Sequence, residues 1–330
     1  MFKKRNVEMD NLLVATASAN FRAADEAQFK FVKGLQLPLR KGIMSGDITG
    51  GIFEVMDFTN VRHIEFPIDF LNPGDEDDFT AFVMPNCGYI PQNSIEGDYI
   101  TVPTYDIGNS IDWCLKYAKD ANWNIVDRAI QVFKDGFVKK INDDAWHTIL
   151  AAAFDRNAVV YDSAAAAGQF TKRLVSLAKV YMRRNGGGNS ASSNQARMTD
   201  LYISPEAEED IRNWNIDQVD EMTRREIFTS RDGLTSIFQV NLHSFTEFGE
   251  GQSYQLYYEN TLGGTLPAGD VELAIGLDLS TNDSFVMPVA EELEVFNDPT
   301  LHRQGRQGCY GKMTMGVGVL NSTRVLAMSM

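Results

Sequence analysis

The chain has 330 residues, 44% of them apolar, and its 45 acidic and 30 basic residues give a formal net charge of −15. This length and composition predict a globular protein with one or two cores and exclude disorder of the whole chain. The acidic surplus argues against a dedicated DNA-binding protein, because phosphate binding needs clustered lysine and arginine.

Three cysteines, Cys87, Cys114 and Cys309, lie far apart without a C-x-x-C pair. They predict neither a disulfide framework nor a zinc site, and we interpret them as buried reduced thiols. No signal peptide follows the basic start, and no apolar run approaches the roughly 20 residues of a membrane span. We therefore expect a protein that is made and kept in a cytoplasm.

Residues 1–47 are interpreted as an N-terminal arm. They contain eight basic and five acidic residues, a net charge of +3, so the remaining residues carry −18. This split favours an arm that reaches across an acidic neighbouring subunit, although a solvated terminus is an equally good interpretation.

Residues 48–108 predict a long β-hairpin. Apolar residues alternate with polar ones from Arg62 to Phe70, the turn-rich segment 72–78 reverses the chain, and Tyr99–Tyr105 returns as a second extended run. Because a two-stranded ribbon is marginally stable in water, we expect it to lie on something else, such as another subunit.

Residues 122–153 give the strongest helix signal of the chain. Nine apolar residues recur at steps of three and four and form one stripe, which predicts a rod of roughly 45 Å. The stripe comprises Val126, Ala129, Ile130, Phe133, Phe137, Ile141, Ala145, Ile149 and Leu150.

Further elements follow this rod along the chain. A second amphipathic helix is predicted over Phe170–Arg184, and a glycine-rich loop follows it. Residues 200–211 predict a buried strand that enters a helix, with Ser204 as its cap and Pro205 at its first position. The remainder is predicted to be rich in β-strands.

Two segments imitate known ligand-binding motifs without satisfying them. Gly305–Lys312 resembles a phosphate-binding loop, but its glycines have the wrong spacing and Met313 replaces the required Ser or Thr, so we interpret it as a glycine-rich turn between strands. Asp278 opens a segment like a calcium loop, but Asp283 replaces the turn glycine and Val289 the bidentate Glu. We also interpret the helical His147 as a packing residue. No catalytic residue, metal site or cofactor is predicted.

The order of these elements resembles the major capsid protein of tailed bacteriophages, the Hong Kong 97 fold family. Residues 121–129 continuing into 145–150 look like the spine helix of that family. Residues 201–207 are similar to the strand-to-helix entry of its central domain, and 308–320 to its last peripheral strands. The resemblance covers nearly the whole chain, but it consists of packing patterns, which are less specific than a catalytic signature.

The resemblance implies an α+β, Hong Kong 97-like capsid fold and a structural protein with no enzymatic activity. We expect an N-terminal arm over 1–47, an extended hairpin or E-loop over 48–108, and a peripheral domain with the spine helix over 109–160. An axial domain over 161–287 and C-terminal peripheral strands over 288–330 would complete it.

The implied partners are other copies of the chain, in hexamers and pentamers that close an icosahedral shell around double-stranded DNA, which the shell contacts non-specifically. A portal, with possible scaffold and decoration proteins, would complete the particle in the host cytoplasm, without a membrane. Some family members link subunits through an E-loop lysine, but no lysine lies between Lys41 and Lys116, so we expect a non-covalent shell. We also expect no cleaved prodomain.

For contacts between subunits we expect the hairpin and the arm to contribute most. Burial of aromatic residues would supply most of the association energy, and charges at the rim would set the register. Two other classes of protein remain open: an encapsulin, which shares this fold and encloses an enzyme, and a cytoplasmic hydrolase with residues from distant segments. The predicted interface residues are Arg40, Lys41, Phe66, Phe70, Asp75, Glu76, Asp77 and Asp78.

Overall fold

A computed structural model describes residues 15, 21–46, 51–59, 64–67, 99–119, 123–185, 196–214, 236–281 and 284–330. Its contacts divide the chain into two compact units. Unit 1 comprises Met1–Ile64, Val102–Ala145 and Met287–Val317, and unit 2 comprises Glu65–Thr101, Trp146–Val286 and Gly318–Met330.

The helices of the described residues differ widely in length, and the longest is α3. The α-helices are α1 (Phe21–Gly46), α2 (Leu115–Lys119), α3 (Trp123–Asp155), α4 (Lys172–Asn185), α5 (Pro205–Arg212) and α6 (Ser253–Leu256). A π-helical turn follows α6 at Tyr257–Thr261, and 3₁₀ turns lie at Pro267–Gly269, Pro299–Gln304 and Ser322–Arg324.

The strands are distributed along the described part of the chain from Glu54 to Ser329. They are β1 (Glu54–Asp57), β2 (Glu65–Pro67), β3 (Tyr99–Thr101), β4 (Tyr105–Cys114), β5 (Val159–Val160), β6 (Asp200–Ile203), β7 (Ser236–Ile237), β8 (Val240–Ser244), β9 (Leu273–Leu277), β10 (Phe285–Asn297), β11 (Arg306–Met315), β12 (Gly318–Val319) and β13 (Val325–Ser329).

Unit 1 is built on a sheet in which the strands are ordered β1-β10-β11-β4. Strand β11 pairs antiparallel with both neighbours, so that Gly311 lies opposite Val295 on one side and Asn109 on the other. One face of β11 is buried at Cys309, Gly311 and Met313, while the alternate residues point outward. Helices cover the buried face, as expected for an antiparallel sheet with one solvated side.

Helix α1 occupies residues that the sequence analysis assigned to an arm. Its apolar residues recur about every four positions and are buried, because they pack on unit 1 of the same chain. The side-chain amide of Gln28 donates to the carbonyl oxygen of Gly308 at 3.1 Å, and that of Gln36 to Leu293 at 3.3 Å. The buried residues are Ala27, Phe31, Val32, Leu35, Leu39 and Ile43.

Helix α3 confirms the predicted rod within two residues at each end. Seven of the nine predicted stripe residues are buried, the exceptions being Ala129 and Ile130, which are partly exposed. Phe133 and Phe137 meet edge to face, with ring centroids 5.2 Å apart. The helix belongs to unit 1 up to Ala145 and to unit 2 from Trp146 onward.

Two glycines let α3 approach the sheet of unit 1. A Cβ atom on Gly136 would lie 2.6 Å from Nδ2 of Asn109, which donates to the carbonyl oxygen of Phe133 at 3.2 Å. A Cβ atom on Gly311 would lie 2.7 Å from Cζ of Phe133 and 3.1 Å from Cδ1 of Leu293. Glycine at position 136 lowers the helix propensity, but it allows α3 and the sheet to pack closely.

We predict that Gly311→Ala destabilises the protein by about 1–3 kcal/mol, because the added methyl group overpacks a filled core. Urea denaturation measures the change. Gly51→Ala is the matched control, since Gly51 is exposed and no atom lies within 4 Å of its added Cβ. The control should change the stability by less than about 0.5 kcal/mol. Equal midpoints for both variants would contradict the packing described here.

The predicted hairpin is present at its base. Strands β2 and β3 pair antiparallel, with Phe66 opposite Ile100, and the amide of Val102 donates to the carbonyl oxygen of Ile64 at 3.2 Å. Ile64 and Phe66 are buried while Glu65 is exposed, which confirms the alternation over these residues. Residues 68–98 lie outside the described part of the chain.

Unit 2 is built on a mixed sheet in which the strands are ordered β5-β13-β9-β6-β8-β7. Strand β13 runs parallel to β5 and antiparallel to β9, while β6 runs parallel to β8 and antiparallel to β9. Every residue of strands β9, β6 and β13 is buried, because other elements pack side chains against both faces of the sheet. Near-continuous apolar runs are typical of such strands.

One face of this sheet is covered by α4 and α5. Ser204 caps α5 by accepting from the amide of Ala207 at 3.0 Å, and Pro205 opens the helix, which confirms that prediction. Helix α4 confirms the second amphipathic helix. The two helices share one apolar cluster formed by Phe170, Leu174, Val175, Ala178, Met182, Ala196, Met198, Leu201, Ile203, Ala207, Ile211, Ile237, Val240, Ala274, Leu326, Met328 and Met330.

Aromatic side chains cover the opposite face of this sheet. The ring of Trp146 lies 4.8 Å from that of Tyr202, and 5.4 Å from those of Phe245 and Phe248. His147 stacks on Tyr257 at 3.9 Å, as expected for a packing residue. The C-terminal part of α3 therefore supplies the core on this side of unit 2.

The units divide the chain differently from the domain boundaries of the sequence analysis. The segment predicted as 288–330 separates after Val317, because β13 completes the sheet of unit 2 by pairing with β9 and β5. The predicted boundary at 108 falls inside β4, which pairs with β11 along its whole length. Long-range strand pairing, which composition does not reveal, causes both differences.

Candidate functional site

The predicted interface residue Arg40 is engaged within unit 1. Its Nε donates to the carbonyl oxygen of Leu293 at 2.9 Å, and its guanidinium forms an ion pair with Glu292. The neighbouring Lys41 lies in α1, but its side chain lies outside the described part of the structure. Arg40 thus fastens α1 to β10, and a role between subunits stays a prediction.

Arg40 also lines a cavity of about 350 Å³ in unit 1. The cavity lies where α1, α3 and the sheet meet, and its lining includes Ile43, Ile141 and three methionines. Methionine fills irregular gaps well because its side chain is flexible. The lining residues are Arg40, Ile43, Val55, Asp57, Ile141, Met287, Val289, Glu292, Leu293, Met313 and Met315.

Phe66 is buried opposite Ile100 at the base of the hairpin. Its side chain therefore already packs within the chain. The other predicted interface residues, which are Phe70, Asp75, Glu76, Asp77 and Asp78, lie outside the described residues. That the predicted set forms an interface between subunits stays a prediction.

The outward face of the unit 1 sheet carries contacts that the sequence analysis missed. The exposed rings of Phe296 and Tyr310 stack with centroids 5.3 Å apart. Beside them Lys312 forms an ion pair with Asp106 at 3.0 Å, and Thr314 donates to Asp106 at 2.7 Å. Strand register brings these residues together, so alternation along β11, once recognised as a strand, would have indicated them.

The segment Gly305–Lys312 was predicted to be a glycine-rich turn, and this prediction is wrong from Arg306 onward. Those residues form β11, whose backbone is paired on both sides, and Gly308 and Gly311 face closely packed neighbours. Its amide groups are therefore used by neighbouring strands and do not form a phosphate cradle. Burial raises the pKa of the Cys309 thiol to about 12, so it stays protonated.

The other two cysteines are Cys114 and Cys87. Cys114 is exposed, so the prediction of a buried thiol is wrong there. It ends the edge strand β4, where the side chain points away from the core. Cys87 lies outside the described residues.

Asp278, the first residue of the calcium-like segment, forms an ion pair with an arginine side chain of the same chain. Its carboxylate is fully buried and pairs with Arg324 at 2.6 Å. It also accepts from the backbone amides of Arg197 at 2.8 Å and Ser280 at 3.0 Å. The guanidinium thus satisfies the charge of Asp278 and ties the segment before β13 to the end of β9.

We predict that Asp278→Asn destabilises the protein by about 3 kcal/mol, because it leaves the buried guanidinium of Arg324 without an anion. Urea denaturation measures the loss. Glu209→Gln is the control, since Glu209 lies 3.5 Å from Arg212 and both side chains are exposed. Such surface pairs contribute about 0–1 kcal/mol. A loss no larger than that of the control would show that the buried pair is not needed.

Unit 2 carries acidic residues around the buried carboxyl of Glu272. Burial raises the pKa of Glu272, and the charges of Glu206, Asp210 and Glu250 raise it further, while a hydrogen bond from Ser204 at 2.6 Å opposes the shift. This combination indicates a local surplus of negative charge. Four of the eight residues of α5 are acidic.

Helix α4, in contrast, contains five basic residues and no acidic one. Lys179 donates to the carbonyl oxygen of Phe238 at 2.5 Å, and Lys172 lies over the ring of Phe238 at 5.6 Å. Phe238 and Gln239 both have positive φ and form the tight turn between β7 and β8. The two lysines therefore stabilise a turn that is strained for residues other than glycine.

Within the described ranges, no group of three or more His, Cys, Asp or Glu side chains is placed to hold a metal ion. The helices of those ranges include none that is long and apolar enough to cross a membrane.

No family model matches, and no curated protein matches significantly. Solved structures match over most of their length. The capsid of an empty GTA particle is 12% identical, has a TM-score of 0.55, and the match covers 86% of this chain and 89% of that one.

Two phage structures match to a similar extent. The capsid of Myoviridae phage XM1 is 12% identical with a TM-score of 0.52, over 86% of this chain and 90% of that chain. The mature capsid of bacteriophage PhiM1 is 13% identical with a TM-score of 0.52, over 86% of both chains. The fold is that of phage capsid proteins, which confirms the predicted α+β class and Hong Kong 97-like fold.

Proposed function

We propose that this chain is a major capsid protein, the shell subunit of a tailed bacteriophage. Copies of it would form hexamers and pentamers that close an icosahedral shell around double-stranded DNA in the host cytoplasm. Portal, scaffold and decoration proteins are proposed partners. We propose no catalytic role for any residue.

The observation that carries this proposal is the extent of the structural match. Each of the three capsid chains is matched over 86–90% of its length, so the likeness includes both units of this chain and not one shared motif. The assignment of function goes beyond the fold, because one fold can host several functions.

Features of the described residues support a shell subunit. The outward sheet face of unit 1 presents stacked aromatic rings beside an ion pair, a composition typical of protein interfaces. The described strands β2 and β3 pair over only three residues each, and such a short ribbon gains stability when it packs on another surface.

We predict that the purified chain forms closed particles of megadalton mass. Electron microscopy and size-exclusion chromatography with light scattering measure this. Double-stranded DNA inside particles made during infection supports the phage assignment, whereas a copurified cargo enzyme would indicate an encapsulin. A small oligomer that persists at high concentration would contradict the proposal.

We further predict that the shell is held by non-covalent contacts alone. Residues 42–115 contain no lysine, so a hairpin lysine is absent from the positions where a cross-link would form. Boiled particles should therefore run as a single band near 37 kDa on a denaturing gel, in agreement with the chain mass of 36.9 kDa. A ladder of multiples of that mass would show cross-linking.

A further inference from the structure

The last turn of helix α4 contains two arginines, Arg183 and Arg184. Arg183 and Arg184 are exposed, and among the described residues neither forms an ion pair or a hydrogen bond. Beside them Val180 is 51% exposed. We call Val180, Arg183 and Arg184 the basic patch.

Part of this charge has a local role, because basic residues in the last turn of a helix interact favourably with its dipole. That role requires neither two guanidinium groups nor an exposed valine beside them. Arginine next to exposed apolar surface is typical of protein interfaces, since its planar group forms hydrogen bonds while its stem packs.

Unit 2 also presents the opposite charge. Glu206 and Glu250 are exposed and form no ion pair within the described ranges, and both act on the buried Glu272. Arg212 is the basic residue of α5, and it forms ion pairs with Glu208 at 2.8 Å and Glu209 at 3.5 Å. We call Glu206 and Glu250 the acidic patch.

Helices α4 and α5, which carry Arg183, Arg184 and Glu206, lie on the same face of one sheet, and Glu250 lies in the loop between β8 and α6. Both α4 and α5 pack on a single apolar cluster, and the amide of Phe170 donates to Asp210 at 2.8 Å. Unit 2 therefore carries opposite charges on two elements of one face. A surface with this property is complementary to a rotated copy of itself, and repeated contacts of that kind close into a ring when the rotation between copies adds up to a full turn.

We infer that the basic patch of one copy binds the acidic patch of unit 2 in a neighbouring copy. This inference rests on the proposed function, because it assigns one of the contacts between shell subunits. Charge complementarity of this kind sets the register and speeds the encounter more than it adds affinity.

Packaged DNA is the competing partner for the basic patch. The observations favour a second copy, because Val180 has no role in binding a phosphate backbone and because DNA would leave the acidic patch without a counter-charge. The net charge of −15 also repels a polyanion over distances of about the Debye length, about 8 Å at physiological salt.

Charge reversal with a matched control tests this inference. We predict that Arg183→Glu with Arg184→Glu lowers the particle fraction about tenfold, since it places like charges together. Arg128→Glu with Lys139→Glu on α3 is the control. Both of those residues are exposed, and the net charge changes equally, so assembly should stay within about twofold of the original chain.

The decisive experiment reverses the charges of the basic patch and the acidic patch together, which restores their complementarity. Glu206→Lys with Glu250→Lys, combined with the reversed arginines, should return the particle fraction to within about threefold of the original chain, as in a charge-swap cycle. Light scattering measures assembly, and thermal unfolding checks that each variant is folded. If the reversed variant unfolds, Arg183→Gln with Arg184→Gln replaces it and should lower assembly by a smaller factor.

Three results would overturn the inference. Reversed arginines that leave assembly unchanged would show that the basic patch faces solvent. Unchanged assembly with less nucleic acid in the particles would assign the patch to DNA. A loss that the swapped charges do not restore, in folded variants, would show a different partner surface. If the original chain forms only small oligomers, the proposed function fails, and the same variants then test the contact within those oligomers.

Discussion

The buried stripe of α3 is the constraint on which both units depend. From Val126 to Ala145 it packs against the sheet of unit 1, and from Trp146 onward it packs among the aromatic side chains of unit 2. A single continuous helix thus supplies core residues to two separate sheets. Because protein cores tolerate little change in volume, small residues such as Gly136 and Gly311 become necessary where the helix approaches the sheet.

Elements with a strong local signal could be predicted from the sequence, as α3, α4 and the capped entry into α5 show. Helix α1 was not recognised, although its apolar residues recur every four positions, because its charge and place in the chain drew the interpretation toward an arm. The residue pattern of Gly305–Lys312 was interpreted as a turn because glycine usually marks one, although the family resemblance indicated strands over 308–320. The glycines of β11 instead make room for Phe133 and Leu301, and Phe133 comes from α3, which is distant in the sequence.

The candidate interface stays a prediction, because most of its residues lie outside the described part of the chain. Arg40 and Phe66 were chosen for their residue types, yet both are already engaged within the chain. The surfaces that the structure adds, the stacked pair Phe296 and Tyr310 and the opposite charges of α4 and α5, are created by strand register and by helices sharing one core. Hydrophobic periodicity indicates which residues are buried, but it does not show which exposed residues become neighbours.

The position of β13 bears on how the chain is synthesised. Ala327 pairs with both Val159 and Ile275, so the sheet of unit 2 lacks an interior strand until the ribosome has made the last part of this segment. Contacts between such distant residues form slowly, because a long loop must close first. A product interrupted before Val325 would leave the edges of β5 and β9 open, and unpaired edges attract proteases and aggregation. Chains interrupted there would therefore be degraded or would aggregate before unit 2 could fold.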